Sequence, residues 1–361
     1  MTAESASPGI NPERVEEIAT RAFTYIGGAA VSGLIYLGDR LGLYRALAQH
    51  GPCTSEEFAA ATGLNERWLR EWLRGQAAAG LIDNSGEQFS LSPEAYLVLV
   101  DENTPASAIG AFDSFPELNR VFDELPEAFR TGQGLTYDDG GPATARQVER
   151  LLGPWNRSAL VSEALPKVPG LVEKLQAGAR VGDIGCGAAV GSTAVAQAFP
   201  NSEVHGYDNS VHALERARNN IASAGVANCH VHNSDDEPIP QDESFDVFLV
   251  LDALHDMTRP DLAMRAVRGA LKPDGIWFIV DVDAPEDWHE NLQHPLGAML
   301  YAFSIQACMS SALSSPDGLG LGTVGLPESK LFGMLREAGF TRMARVPGLE
   351  HPFNAYYYAQ P

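Results

Sequence analysis

The run Asp183-Ile184-Gly185-Cys186-Gly187 carries the clearest chemistry in this chain. An acid stands two residues ahead of a Gly-x-Gly at the end of a strand-like segment. The glycines let backbone approach a ligand where any side chain would block it. The dinucleotide fingerprint Gly-x-Gly-x-x-Gly needs its third glycine at position 190. That residue is Val190, and Gly191 comes one place late, so a nicotinamide or flavin enzyme is disfavoured. The acid also suits a ligand bearing an ammonium group better than a pyrophosphate. Asp208 follows Gly187 by 21 residues, where a carboxylate can accept both hydroxyls of a ribose. Further on, Asn233-Ser234-Asp235-Asp236 offers polar side chains to an adenine amino group. Asn209 and Leu251, at the ends of two strand-like segments, complete the expected cofactor-binding set.

A second group of residues could act on the other reactant. Asp252-Ala253-Leu254-His255-Asp256-Met257 follows an apolar strand. A hydroxyl is a poor nucleophile until deprotonated, and histidine titrates near neutral pH, which makes His255 the candidate general base. A histidine without a base role is the competing reading. Asp252, His294 and Tyr301 are the candidate acceptor contacts, the last two being polar within an apolar helical stretch (Leu296, Met299, Leu300, Phe303). No metal is expected. His289 and His294 are five residues apart, about 140° around a helix, where a zinc helix needs four. His230 and His232 share a strand face and read as structural.

These side chains need a frame, and the chain spells one out. Strand-like segments at Arg180–Ile184, Glu203–Tyr207, 228–232, Phe245–Leu251 and 275–280 alternate with helices at 192–199, 212–224 and 260–271. That alternation predicts a parallel, doubly wound α/β sheet, ending in the helix 329–338 and a last strand at 353–358. The segment 283–326 is long for a connection and reads as a lid-like insertion. Upstream, residues 1–12 read as a flexible tail, 13–100 as a helical and winged-helix domain, 101–175 as a helical connector, and 176–361 as the cofactor-binding domain. Within 13–100 the pattern is helical from Pro12 to His50. A capped helix then starts at Thr54, and a second runs from Asn65 to Ala79 with Trp68, Leu69, Trp72 and Leu73 on one face. A hairpin follows, turning at Asn84-Ser85-Gly86-Glu87.

Charge narrows the partners. The 361 residues carry 25 Lys+Arg against 47 Asp+Glu, a net charge of -22, which repels nucleic acid and anionic lipid. The helix 65–79 carries Arg67, Arg70 and Arg74 against Glu66 and Glu71, only one net positive charge. A dimerisation module is therefore favoured over a DNA reader. Ala22 to Gly38 is uncharged for 17 residues, close to a membrane span, yet rich in glycine. It is read as a buried or subunit-facing helix. The four cysteines are far apart with no zinc spacing, and the polar N-terminus lacks the pattern of a signal peptide, so a reducing cytoplasm fits.

With these motifs in place, the chain from about residue 30 onward resembles a class I S-adenosylmethionine-dependent methyltransferase with an N-terminal winged helix. The resemblance rests on the turn at 183–187, Asp208, Ser244-Phe245-Asp246 and Leu271-Lys272-Pro273-Asp274-Gly275. It departs at 188–189, where Ala188-Ala189 stand in place of the family's usual glycine. It implies a Rossmann-like seven-stranded α/β domain, S-adenosyl-L-methionine as cofactor and a winged helix that mediates dimerisation. The expected activity is methyl transfer to a small-molecule acceptor. O-methylation is favoured, with S- or N-methylation open. The alternative is a winged-helix regulator with a cofactor-sensing domain. A homodimer is expected, without nucleic-acid or membrane partners.

Overall fold

Asn11 opens the first helix by accepting from the amides of Glu13 and Arg14, with Pro12 in the first turn, where no donor is needed. The computed structural model describes residues 9–113 and 115–361, and they form two compact units parted between Val100 and Asp101. The first helix, Pro12–Arg40, breaks before the second, Leu43–His50, because Gly42 turns left-handed at φ 68°. Only its last turns are packed. Ile35 and Gly38 are buried, the Trp72 indole donates to Leu34 O at 3.0 Å, and a Cβ on Gly38 would lie 2.7 Å from the Trp72 and Tyr44 rings. Phe23, Tyr25 and Ile26, earlier in the helix, are exposed.

The rest of this unit is the expected winged helix. Thr54 and Glu57 form a reciprocal capping box on helix Ser55–Thr62, and Asn65 caps helix Glu66–Ala78. Leu69, Trp72 and Leu73 are buried, but Trp68 is 80% exposed. It lies about 90° from the centre of the buried stripe, which 69, 72, 73 and 76 define. The wing pairs β1 (Asp83–Ser85) with β2 (Gln88–Ser90), antiparallel. Its turn is therefore Gly86-Glu87, two residues shorter than expected, with Gly86 at φ 62°.

The second unit holds seven strands: β3 (Arg180–Ile184), β4 (Glu203–Asp208), β5 (Cys229–Asn233), β6 (Phe245–Leu251), β7 (Leu271–Val282), β8 (Arg342–Arg345) and β9 (Asn354–Gln360). They lie in the order β5-β4-β3-β6-β7-β9-β8. The first five are parallel; β9 runs antiparallel to β7, and β8 to β9. Strand β8 was not foreseen, since Arg-Met-Ala-Arg with both ends exposed shows no apolar alternation. The middles of β6 (247–251) and β7 (276–280) are covered on both faces and so read as unbroken apolar runs. Val247 and Leu249 enter one core, with Leu160, Leu171 and Phe278. Phe248 and Val250 enter the other, with Met264, Trp277 and Leu331.

The chain leaves β3 for β4 on one side and returns to β6 on the other. This reversal opens a crevice at the carboxyl ends of β3 and β6, the usual ligand position in such sheets. The segment 101–175 belongs to this same unit. Its helix Gly141–Ser158 is tied to the sheet's outer helices by the Arg216–Glu149 pair and by Asn220, which donates to Glu149 Oε1 at 2.9 Å and Ala188 O at 3.0 Å.

Gly182 keeps β3 and β6 in step, because the Phe248 ring lies where its side chain would be. A Cβ there would come within 2.1 Å of that ring. Gly182→Ala should therefore overpack a fully buried site and cost about 1–3 kcal/mol, read as a lower denaturant midpoint at unchanged slope. An unchanged midpoint would show that the ring moves aside freely.

Candidate active site

The glycine turn forms one wall of the crevice. Gly185 and Gly187 adopt φ 66° and 54°, the left-handed region open to glycine. Ala189 follows at φ 54°, where a glycine would sit unstrained. Its methyl is fully buried, and the ~0.8 kcal/mol such a group is worth roughly offsets the ~1–2 kcal/mol of left-handed strain. That balance explains how alanine is tolerated in a turn that usually carries glycine. A Cβ on Gly187 would meet nothing within 4 Å, so the backbone there faces open space.

Asp208 accepts from Gly187 N at 2.8 Å and, through its other oxygen, from Ser210 N at 2.8 Å. A carboxylate has about four lone-pair sites, so the amides fix its orientation and leave capacity for a ribose hydroxyl. Burial raises its pKa against the pull of those amides. Asp183 is buried beneath the turn. Ser192 Oγ donates to its Oδ2 at 2.5 Å, while Oδ1 has no partner. Burial pushes its pKa up to about 7. An unpartnered buried carboxylate oxygen under a glycine turn is the donor set that a cationic cofactor would complete. The structure therefore fits S-adenosylmethionine with its ammonium group.

The remaining cofactor candidates are placed less tightly. Leu251 closes against Gly191, where a Cβ would lie 2.3 Å from its Cδ1. Asn233 spends its Oδ1 on the amide of Asp235 at 3.0 Å, and the Ser234 amide donates to Asp208 O at 2.9 Å. Asn209 is exposed.

The second wall is a knot of acids around one imidazole. His255 is 3% exposed, and its Nδ1 lies 2.7 Å from Asp281 Oδ1 at the end of β7. Its Nε2 lies 3.1 Å from Asp256 Oδ1, a contact too bent to be a hydrogen bond. Burial would lower the pKa of His255, but the charges of Asp256 and Asp281 outweigh it and hold the ring protonated well above its usual range. Asp252 sits beside them at φ 64°, with Oδ1 unpartnered and its pKa pushed by burial to about 6. The sets His255–Asp256–Cys308 and Asp252–His255–Asp281 bring donor atoms within 4.8 Å of one another, as a metal site would. Attraction among their own members accounts for that spacing without an ion.

Several of these groups were not foreseen. Asp281 was hidden inside an apolar strand. Tyr137, in the Gly/Asp-rich loop, donates to Asp256 Oδ2 at 2.6 Å. Its neighbour Asp138 accepts from Ser210 Oγ and from Val211 N. Two consecutive side chains of the presumed connector thus reach both walls of the crevice. The insertion joins them, with Gly322 N donating to His255 O at 3.2 Å and Leu135 N to Ser310 Oγ at 2.8 Å. His294 is not part of this group. It is exposed, precedes the helix Gly297–Phe303 rather than lying in it, and accepts from Leu296 N at 3.2 Å. Tyr301 is half-buried with its hydroxyl 3.4 Å from Asn291 Nδ2, and no described bond links it to His255. Of the three predicted acceptor contacts, the structure brings only Asp252 to the imidazole.

Comparison with known proteins bears on the fold. Residues 175–313 match the family model described as "Methyltransferase domain", and residues 29–100 match an "Rv2258c-like winged HTH domain". The chain is 29% identical over 272 residues to the mitomycin biosynthesis 6-O-methyltransferase of Streptomyces lavendulae, covering 70% of this chain and 74% of that one. Among solved structures it resembles the mitomycin 7-O-methyltransferase, with TM-score 0.66 and 22% identity over 97% of this chain and 100% of that one. It also resembles human N-acetylserotonin methyltransferase, with TM-score 0.67 and 16% identity over 98% and 99%. At such identities these two likenesses establish the fold.

The open space at Gly187 yields a direct test. Gly187→Ala should fold, at a cost of about 1–2 kcal/mol for the left-handed backbone, while losing about tenfold or more in affinity for S-adenosylhomocysteine by titration calorimetry. Gly185→Ala should instead destabilise the fold, since its Cβ would lie 2.7 Å from that of Ala253. A folded Gly187→Ala with native affinity would place the ligand elsewhere.

Proposed function

The chain is a class I S-adenosylmethionine-dependent methyltransferase with an N-terminal winged-helix module, and we propose that it methylates a hydroxyl of a small-molecule acceptor, with His255 as general base. The observation that carries this reading is the buried His255–Asp281 bond of 2.7 Å, one turn beyond β6 and beside the glycine turn. Asp281 orients the imidazole through Nδ1 and leaves Nε2 as the nitrogen that can take a proton. In this reading Asp183, Gly185, Gly187, Asp208, Asn233 and Leu251 hold the cofactor, whose sulfonium supplies an electrophilic methyl group when bound. The protein's own part is to align acceptor and methyl in a dry site and to take the hydroxyl proton on Nε2. Asp281, bonded to Nδ1, stabilises the imidazolium that results. The names of the two mitomycin enzymes speak for oxygen as the acceptor atom, and a base on the acceptor side supports it. A thioether acceptor has no proton to lose and would need no such group.

The winged helix serves assembly in this proposal. Arg67 is paired with Glu71 at 2.6 Å and Arg70 with Glu66 at 2.6 Å, so two of the three cations on its second helix are already engaged. The first helix passes the length and composition test for a membrane span. Its turns around Leu34 to Gly38 are locked onto Trp72 and Tyr44, however. The stretch 22–33 that remains is well short of the ~20 residues a span needs. Its exposed Phe23, Tyr25 and Ile26 suit burial across a two-fold axis. We therefore read the protein as a cytoplasmic homodimer.

Three outcomes are expected. With methyl-labelled cofactor and a panel of phenols, label should appear in an ether product, and His255→Ala should cut turnover by ~10²–10⁴ with cofactor affinity nearly unchanged. Because only neutral imidazole accepts a proton and its pKa is raised, the rate of the free enzyme should climb with pH above the ordinary histidine range. A His255→Ala enzyme with native turnover and pH profile would remove the base. Light scattering should report twice the mass of one chain, and a single-chain mass at micromolar concentration would remove the dimer.

A further inference from the structure

The nitrogen that must receive the acceptor's proton already faces a carboxylate. His255 Nδ1 is held by Asp281, so only Nε2 is available, and Asp256 Oδ1 stands 3.1 Å from it. That contact is close enough for strong charge attraction yet poorly aligned, and Asp256 Oδ1 has no other partner. The other oxygen, Oδ2, is gripped by the Tyr137 hydroxyl at 2.6 Å. The Cys308 thiol, from the insertion, also lies within reach of both His255 and Asp256. The groups facing the imidazole are thus Asp281 from β7, Asp252 and Asp256 from the loop after β6, Cys308 from the insertion, and Tyr137 behind Asp256. All the formal charges among them are negative.

An imidazole in this setting keeps its proton and cannot act as a base. We propose that Asp256, steered by Tyr137, is a positioning residue that occupies Nε2 of His255 in the free enzyme and yields that place to the acceptor hydroxyl, so that acceptor binding itself arms the base. This rests on the reading of His255 as the base. The acceptor's oxygen takes over the position of Asp256 Oδ1, and the carboxylate pivots about the bond that Oδ2 already makes with Tyr137. Moving a negative charge off Nε2 weakens the hold on the ring proton, which leaves to solvent before transfer. In the reacting complex the hydroxyl proton goes to Nε2 as the new oxygen–carbon bond forms and the sulfur–carbon bond breaks. Without the Tyr137 hydroxyl the displaced carboxylate loses the bond that holds it away from Nε2. The device would keep the site from acting as a base until the acceptor is seated.

The test is histidine-selective NMR titration of the full chain with S-adenosylhomocysteine, with and without phenol as the smallest aromatic hydroxyl. In the absence of phenol, Asp256→Asn should lower the deprotonation midpoint of His255 by at least about one pH unit. Saturating phenol should lower the wild-type midpoint similarly. Tyr137→Phe, which keeps the ring and removes one hydroxyl, should leave the phenol-free midpoint near the wild-type value and abolish most of the phenol response. An Asp256→Asn midpoint equal to wild type, or no response of the wild type to phenol, would overturn the proposal. Should Asp256→Asn fail to fold, the phenol response of wild type against Tyr137→Phe decides alone. Since this readout needs no turnover, its failure is distinct from failure of the base assignment, which His255→Ala kinetics reports.

Discussion

A carboxylate bonded to an imidazole inside a protein core is a costly arrangement, and the bond between Asp281 and His255 needs most of the second unit to sustain it. Both residues are almost fully buried, where an unpaired charge would lose several kcal/mol of hydration. The fold lowers that cost by fixing geometry. Asp281 stands near the end of the central strand β7, its Oδ1 also accepting the Val282 amide at 2.8 Å. The loop after β6 is anchored by Asp252 N on Val280 O at 2.9 Å and by fully buried Leu254. Two neighbouring parallel strands thus bring imidazole and carboxylate together with little freedom left to lose.

The same economy governs the cofactor wall. The reversal of strand order between β3 and β6 opens the crevice, and the glycine turn lines it with backbone. Asp208 is oriented by amides of its own loop and of that turn. What joins the two walls is a segment that lies outside the sheet. Tyr137 and Asp138 are consecutive, yet one bonds the histidine loop and the other the helix after β4. Their loop is in turn bonded to the insertion, whose Gly322 amide reaches the carbonyl of His255. The two walls of the crevice are therefore held together by segments distant in sequence.

How much of this could be read in advance follows from the physics of each element. The sheet was legible because the middles of β6 and β7 are covered on both faces and spell five-residue apolar runs, 247–251 and 276–280. The turn at 183–187 was legible because its left-handed backbone at two positions favours glycine, and the two glycines follow an acid at the end of a strand. Strand β8 was not, since an edge strand with arginines at both ends has no alternation to read. Trp68 misled because an aromatic residue next to a buried stripe looks apolar wherever it points. Among site residues, His255 and Asp208 carried local signals, a chemistry-bearing side chain just past a strand. Asp281 and Tyr137 carried none. An acid within an apolar strand and a tyrosine in a polar loop acquire meaning only when the chain folds them onto His255. His294 is the opposite case, a polar residue beside an apolar helix that turns outward to solvent.

In the proposed reaction Nε2 of His255 receives the acceptor's proton. The most direct measurement is a crystal structure of the full chain with S-adenosylhomocysteine and a methylatable phenol. The cofactor ribose should lie on Asp208, the phenolic oxygen within ~2.6–3.2 Å of Nε2, and the sulfur in line with that oxygen across the crevice. A phenolic oxygen seated away from His255, with the cofactor correctly placed, would contradict that proton transfer.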